Sequence, residues 1–244
     1  MAEQSDLTLF VKASTINESD FGADVFAQRF MMMLVLKDLS VNIELVDAIK
    51  SRTMKKLPAL KFMDNDLIED PGDIENLIKR MPDHPLECTN GEVNALVSKG
   101  CGSRVYHKFC QLVKNADPNT DDKLKANLKE ELKALDSFLR SDAMPGRFLG
   151  GDCLLIPDCI LLPKLLHIKV VAKAFKDFEI PEEFEGIHRY IDAANGKDLE
   201  NPDSNVEAFT RTSPSEEVIV DAWARSMKVP NPFQHKKKKT PSTS

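Results

Sequence analysis

Long hydrophobic runs are missing from this sequence. The longest uninterrupted apolar stretch, Phe30 to Leu36, is seven residues, against the ~20 that a membrane-spanning helix needs. A basic excess is missing too: 33 Lys and Arg face 39 Asp and Glu, for a net charge of -6, so nucleic acid is not an expected partner. The five cysteines, Cys88, Cys101, Cys110, Cys153 and Cys159, form no C-x-x-C pair and have no zinc-finger histidine partners. No metal site is therefore expected, and the sparse, odd count fits reduced thiols inside a cell. The first residues carry Glu3 and Asp6 and no apolar stretch, so no secretory leader is expected. What is present suffices for a buried core: 42% of residues are hydrophobic and 30% charged. The length suits one large domain or two modest ones. The composition predicts a soluble intracellular globular protein.

Pattern divides the chain in two. Leu7 to Lys12 is a short strand-like run, and Val25, Phe26, Phe30, Met33, Leu34 and Leu36 are spaced as on one helix face. Val41 to Val46 predicts a second strand, Ala59 to Met63 a third entered through Leu57-Pro58, and Leu67-Ile68 a short fourth. Asp70 then suits the N-cap of a helix with Pro71 at its first position. Met81-Pro82-Asp83-His84-Pro85 is the best candidate linker, giving a first domain over 1–82, a linker over 83–88, a second domain over 89–228 and a polar tail over 229–244. Beyond the linker the strand signal disappears. Val105, Phe109, Leu112 and Val113 form one helical stripe, and Leu124, Leu128, Leu132, Leu135 and Leu139 a cleaner one. Cys159 to Phe175 predicts a helix buried on most sides with Pro163 in its first turns, and Ser213-Pro214-Ser215-Glu216 a capping box opening a last helix that carries Trp223.

A small α/β unit followed by an all-helical half resembles the glutathione-transferase architecture, with a thioredoxin-like first domain. The segment Gly22-Ala23-Asp24-Val25-Phe26-Ala27-Gln28-Arg29 narrows the resemblance to the chloride intracellular channel family, as do Leu34 to Asp47, Lys108 to Leu139, Phe148 to Leu165 and Ile180 to Tyr190. The likeness runs over roughly residues 6 to 228. It implies an α/β plus all-α fold. It also implies a protein that moves between cytoplasm and intracellular or plasma membranes and supports chloride or other anion permeation, or organelle and tubule maintenance. Anionic lipids, chloride, cytoskeletal or trafficking proteins and a membrane homo-oligomer are the partners it suggests, and the nucleus is left open as a location.

The departures bear on chemistry. The family's first-helix cysteine, at a glutaredoxin-like position, is here Asp24, as in invertebrate relatives, and a second cysteine is lost where the loop shortens to Met54-Lys55-Lys56. A helix N-terminus stabilises a carboxylate as it does a thiolate, so Asp24 is expected to be ionised, to cap the helix and to repel a glutathione thiolate. Covalent thiol exchange through this position is excluded. No tyrosine lies near the end of the first strand; Ser14 and Thr15 remain as candidate hydroxyls. The resemblance implies a degenerate glutathione site at Asp24, Leu57, Pro58 and Asp70, with no cofactor required; the alternative functions left open are a glutathione-binding or weakly transferring enzyme and a non-catalytic adaptor. The threonine of the family's buried-helix capping box is Leu155, leaving Asp158 to cap alone.

The family's proposed membrane-inserting segment corresponds to Val25 to Val46, which contains Arg29, Lys37, Asp38 and Glu44. Central charges cost about 2.5–3.5 kcal/mol each on insertion, so a spanning form needs an oligomer in which Arg29 and Lys37 face an anion path. The competing expectation is an amphipathic helix and strand with both cations solvated. The tail His235 to Lys239 is open to three readings: an import signal, an anionic-lipid contact or a solubilising end. Lys169-Val170-Val171-Ala172-Lys173 resembles an import segment that would need unmasking from a buried helix.

Overall fold

The computed structural model describes residues 6–233 apart from 48–53, 55, 64, 83, 145, 198–199 and 201–202. Strand β1 (Leu7–Lys12) is central, parallel to β2 (Asn42–Val46) and antiparallel to β3 (Ala59–Phe62), in the order β2-β1-β3. Leu7, Leu9 and Val11 alternate onto the buried face, as a half-buried strand requires. The expected fourth strand is reduced to one antiparallel bridge, Leu60 to Ile68, with two 2.9 Å hydrogen bonds. Only two apolar residues precede Glu69 and the cap at Asp70, so no ladder has room to extend.

Helix α1 (Val25–Leu36) carries more buried surface than its stripe predicts. Ala27, Gln28 and every residue from Phe30 to Leu34 are buried, whereas Phe26 is exposed. The reason is position: α1 lies against α6 (Ile156–Lys176) and α8 (Ser204–Thr210) of the helical half as well as within its own α/β unit. A helix covered on both sides needs no polar face. It stops at Leu36 with Lys37 as C-cap, and Asp38 turns the chain with φ of 53°, a left-handed conformation that Asp tolerates better than most residues.

Helix α2 (Pro71–Arg80) starts as expected. Asp70 Oδ1 accepts from the amides of Gly72 (2.8 Å) and Asp73 (3.2 Å), with Pro71 at the first turn. The chain then crosses 81–90 to α3 (Gly91–Ser98), α4 (Cys101–Val113) and α5 (Asp121–Leu139). The buried stripes of α4 and α5 are those of the sequence, except that Leu124 is only half-buried. Helix α7 (Glu185–Ala194) and α9 (Glu216–Met227) complete the second half. The cap of α9 is Ser215, whose Oγ accepts from Val218 N; Ser213 instead accepts from Gln28 Nε2 and donates to Phe209 O. The expected capping box is replaced by a single serine cap two residues later, because the third helical residue is then Val218, whose side chain cannot accept from the cap amide.

Helix α6 begins three residues earlier than expected and takes Pro163 into its interior. Its start is fixed by Asp158, which is fully buried. One carboxylate oxygen accepts from Leu149 N and Tyr190 Oη, both 2.7 Å away. The other accepts from Gly150 N (3.0 Å) and Leu155 N (2.9 Å). Leucine offers no acceptor, so Asp158 does cap alone. The same carboxylate also joins the 149–150 loop to α7. Burial pushes its pKa up to about 6 in spite of these four donors.

Replacement of Asp158 by Asn keeps the shape but turns an amide N–H₂ toward amides that already donate. Breaking a charged, buried network of this kind costs about 2–4 kcal/mol. Urea unfolding of D158N is therefore expected to show a midpoint well below that of the unsubstituted chain. Equal midpoints would mean that the network is not what fixes α6.

Candidate functional site

The junction between the α/β unit and the helical half holds two adjoining cavities. The larger, about 430 Å³, is lined by Lys12, Ser14, Thr15, Asp24, Arg225 and Ser226 among others. The smaller, about 190 Å³, is lined by Asp24, Tyr106, Lys114, His167 and Trp223. Asp24 is shared by both.

Asp24 stands one residue before α1 in extended conformation, and its Oδ1 accepts from Phe26 N and Ala27 N, each at 2.9 Å. The cap expected from the sequence is present. Its electrostatics differ from expectation. Burial raises the Asp24 pKa, and the two amides and Lys12 oppose that without reversing it. A helix N-terminus favours the charge only within its first turn, and here the packed junction removes more hydration than two N–H groups replace.

The hydroxyls near the end of β1 are already engaged. Ser14 Oγ accepts from Ile16 N (3.2 Å) and Asn17 N (3.4 Å), stitching its own turn. Thr15 Oγ1 donates to Asp221 Oδ2 at 2.5 Å. Asp221 is buried on α9 and also accepts from Arg225 (2.7 Å) and Asn231 (3.0 Å). Burial opposes the charge, yet hydrogen bonds from Thr15, Arg225 and Asn231 hold its pKa below the usual carboxylate range. This contact fastens the loop after β1 to the far wall of the cleft. Leu57 and Pro58, joined by a cis peptide bond, open β3, and Asp70 caps α2. Neither they nor Asp70 line the two cavities that contain Asp24.

The opposite wall was not apparent in the sequence. Trp223 Nε1 donates to His167 Nδ1 at 3.1 Å, and the indole meets Phe109 edge-on at 5.1 Å between centroids. His167 is almost fully buried, which drops its pKa to about 4, and its Nε2 has no hydrogen-bond partner among the described residues. Burial, with Cys110 and Asp24 nearby, holds the Tyr106 hydroxyl protonated far above neutrality. Three aromatic residues from α4, α6 and α9 meet only in the fold; the one available signal was a lone Trp on a capped helix.

No thiol lines either cavity. Cys101 and Cys159 are buried, with burial pushing both thiols up, and Cys153 is the exposed cysteine among those described. The chemistry available at Asp24 is charge and hydrogen bonding, not sulfur exchange.

The two cations of the first-domain segment are not solvated. Arg29 is ion-paired with Glu75 of α2, which also holds Lys79 at 2.8 Å. Burial lowers the Arg29 pKa to about 10. Lys37 is 2% exposed and its Nζ donates to Met81 O at 2.8 Å. Because α1 ends at Leu36, Lys37 lies just beyond the helix that carries Arg29. The expectation of solvated cations is corrected by packing: both side chains run inward under α2 and the chain that follows it. Among the described residues no helix is long and apolar enough to cross a membrane. The tail His235 to Lys239 lies outside the described residues. Lys169 and Lys173 are exposed although Val170 to Ala172 between them are buried, so these lysines need no unmasking.

No family model matches the sequence. Among curated proteins, chloride intracellular channel protein 3 from Homo sapiens is 36% identical over 217 residues, 80% of this chain and 89% of that protein. Among solved structures, the CLIC homologue EXC-4 from C. elegans superposes with a TM-score of 0.78 at 21% identity, covering 98% of this chain and 92% of its own. Dehydroascorbate reductase from Chlamydomonas reinhardtii gives a TM-score of 0.73 at 25% identity, covering 90% and 97%. The trimeric glutathione transferase TDR1 from Leishmania gives 0.64 at 14% identity, covering 96% of this chain and 49% of that one. The fold is glutathione-transferase-like, a thioredoxin-like unit followed by a helical domain. With more than a third of aligned residues shared over four-fifths of its length, the chain belongs to the chloride intracellular channel family.

Proposed function

We propose that the protein acts at membranes as its chloride-channel-named relative suggests. On this reading a folded two-domain form associates conditionally with anionic lipid of intracellular or plasma membranes. There it supports chloride or other anion permeation, or the upkeep of organelle and tubule membranes. The observation that carries the reading is Asp24. The position that would supply a thiolate for redox turnover holds a hydrogen-bonded carboxylate, in a chain 36% identical to a chloride intracellular channel protein.

The likeness to a dehydroascorbate reductase supports a second reading, a glutathione-binding or weakly transferring enzyme. Its difficulty is chemical. A carboxylate forms no mixed disulfide, and the Thr15 hydroxyl already donates its hydrogen bond to Asp221. A glutathione-dependent disulfide-reduction assay on the purified chain is expected to read background, and Asp24→Cys is expected to raise it, since a thiol there meets the Phe26 and Ala27 amides. Robust reduction by the unsubstituted chain would sink the non-redox reading.

Acid is the natural trigger to consider, and its sign follows from the pKa shifts. Asp158, raised to about 6, binds a proton more readily in the folded than in the unfolded chain, where a carboxyl titrates near 3.9. Its contribution to stability therefore grows as pH falls through 6 and is complete below about 4. Asp24 is shifted the same way. These two caps are therefore not weakened by acidification. The acid-labile element is the Arg29–Glu75 pair. Protonating Glu75 leaves a half-buried guanidinium without a counter-charge, which favours release of α1 toward anionic lipid.

Anion efflux and co-sedimentation with vesicles containing phosphatidylserine, run across a pH series, test this. Both are expected to rise below about pH 5.5 as carboxylates neutralise, and Glu75→Gln is expected to move the rise toward neutral pH. A Glu75→Gln profile identical to that of the unsubstituted chain would reject the ion pair as the latch. Efflux absent at every pH would favour a non-catalytic adaptor role.

A further inference from the structure

The last described residues fold back on the helical domain along a defined route. Lys228 caps α9 with φ of 58°, and Val229 N donates to Ala224 O at 3.0 Å. Asn231 Nδ2 then reaches Asp221 Oδ1 (3.0 Å), and Phe233 N donates to Asn231 Oδ1 (2.9 Å). The chain thus runs antiparallel to α9, from its last turn toward Glu216 at its first position. Pro232 and Phe233 arrive in the wall of a groove of about 510 Å³ shared by α6, α7 and α9. Its floor is apolar, with Val170, Ile180 and Ile191 all buried.

The rim of this groove is acidic. Asp177, Glu179, Asp192 and Glu216 face Lys169 and Lys173. Lys173 is paired with Glu179 (3.1 Å), and Asp192 with Lys197 (2.7 Å). Asp177 and Glu216 make no ion pair among the described residues. The next residues in the chain after Phe233 are Gln234, His235 and the four lysines Lys236 to Lys239. Six residues reach at most about 20 Å when extended, enough to cross a groove of this size from an anchor already inside it.

We propose that the segment His235 to Lys239 is the occupant of this groove, its lysines set against Asp177 and Glu216 while Phe233 anchors it on the apolar floor. Exposed charge pairs of this kind are individually weak and screened by salt, so the contact is reversible. The same lysines are the part of the chain suited to an anionic lipid surface. Groove and membrane therefore compete for one basic segment, and the folded protein holds it back until anionic lipid outbids the rim. This surface is separate from the Asp24 cleft and from the Arg29–Glu75 pair; the competition with lipid rests on the membrane role proposed above, whereas the seating of the tail in the groove, read by proteolysis, does not.

The full-length chain carries the test. Trypsin removes the tail by cutting after the lysines, and intact mass spectrometry follows the cut. In the double variant Asp177→Asn, Glu216→Gln the cut is expected several-fold faster than in the unsubstituted chain. High salt is expected to bring the unsubstituted chain to the variant's rate. Asparagine keeps the left-handed cap that Asp177 forms at φ of 47°, and Glu216 is exposed, so thermal melting should be unchanged. Binding to phosphatidylserine vesicles at neutral pH is expected to tighten several-fold in the same variant. The gain is expected to vanish when Lys236 to Lys239 are also changed to Gln. Equal cutting rates with and without the rim charges would overturn the proposal. So would a rate that falls with protein concentration, since the groove would then be taking the tail of a second copy.

Discussion

A carboxylate that is fully buried and surrounded only by donors is a demanding thing to build, and the helical domain is arranged around one. Asp158 needs Leu149, Gly150, Leu155 and Tyr190 in place at once. Those four lie on a loop, on the helix's own threshold and on α7. The start of α6 is therefore set by convergence rather than by local propensity, which the interior Pro163 would oppose. Because α1 packs along α6, the position of the helix that opens with Asp24 depends on the same carboxylate. The geometry of the junction cleft is inherited from a site well removed from it.

Half-buried charge is the recurring motif of the junction. Glu75 holds two cations, Asp221 gathers three donors, and Lys37 is carried inward to a backbone carbonyl. Of these, the Thr15–Asp221 contact joins the α/β unit to α9, whereas the Glu75 and Lys37 contacts tie α1 and its cap to α2 and the residue after it within the first unit. Breaking one partner away from such a group costs more than the pair contributes when intact.

The features legible in the sequence were those with a local cause. Period-two and period-3.6 patterns gave β1 and the stripes of α4 and α5, and an Asp before a Pro gave the start of α2. Asp24 was legible as a cap, and the loss of sulfur there follows from identity alone. What eluded the sequence was relational. The sign of the Asp24 shift depends on how deeply the junction buries it. The partners of Arg29 and Lys37 come from residues more than forty positions away. Leu67-Ile68 looked like a strand because two apolar residues satisfy the pattern, while a ladder needs length. Leu57, Pro58 and Asp70 are each explained by the bend or cap they make, and family position alone did not bring them into the Asp24 cavities.

Trp223 is the single tryptophan of the chain, and its indole bridges Phe109 and His167 in the wall beside Asp24. The molecule therefore carries one intrinsic fluorophore, placed where its two halves meet. Its excited state is exposed to a neutral imidazole accepting its N–H, and a shift in emission or quenching speaks for the junction alone, with no second indole to blur it. Few proteins of this size offer so local an optical gauge without labelling.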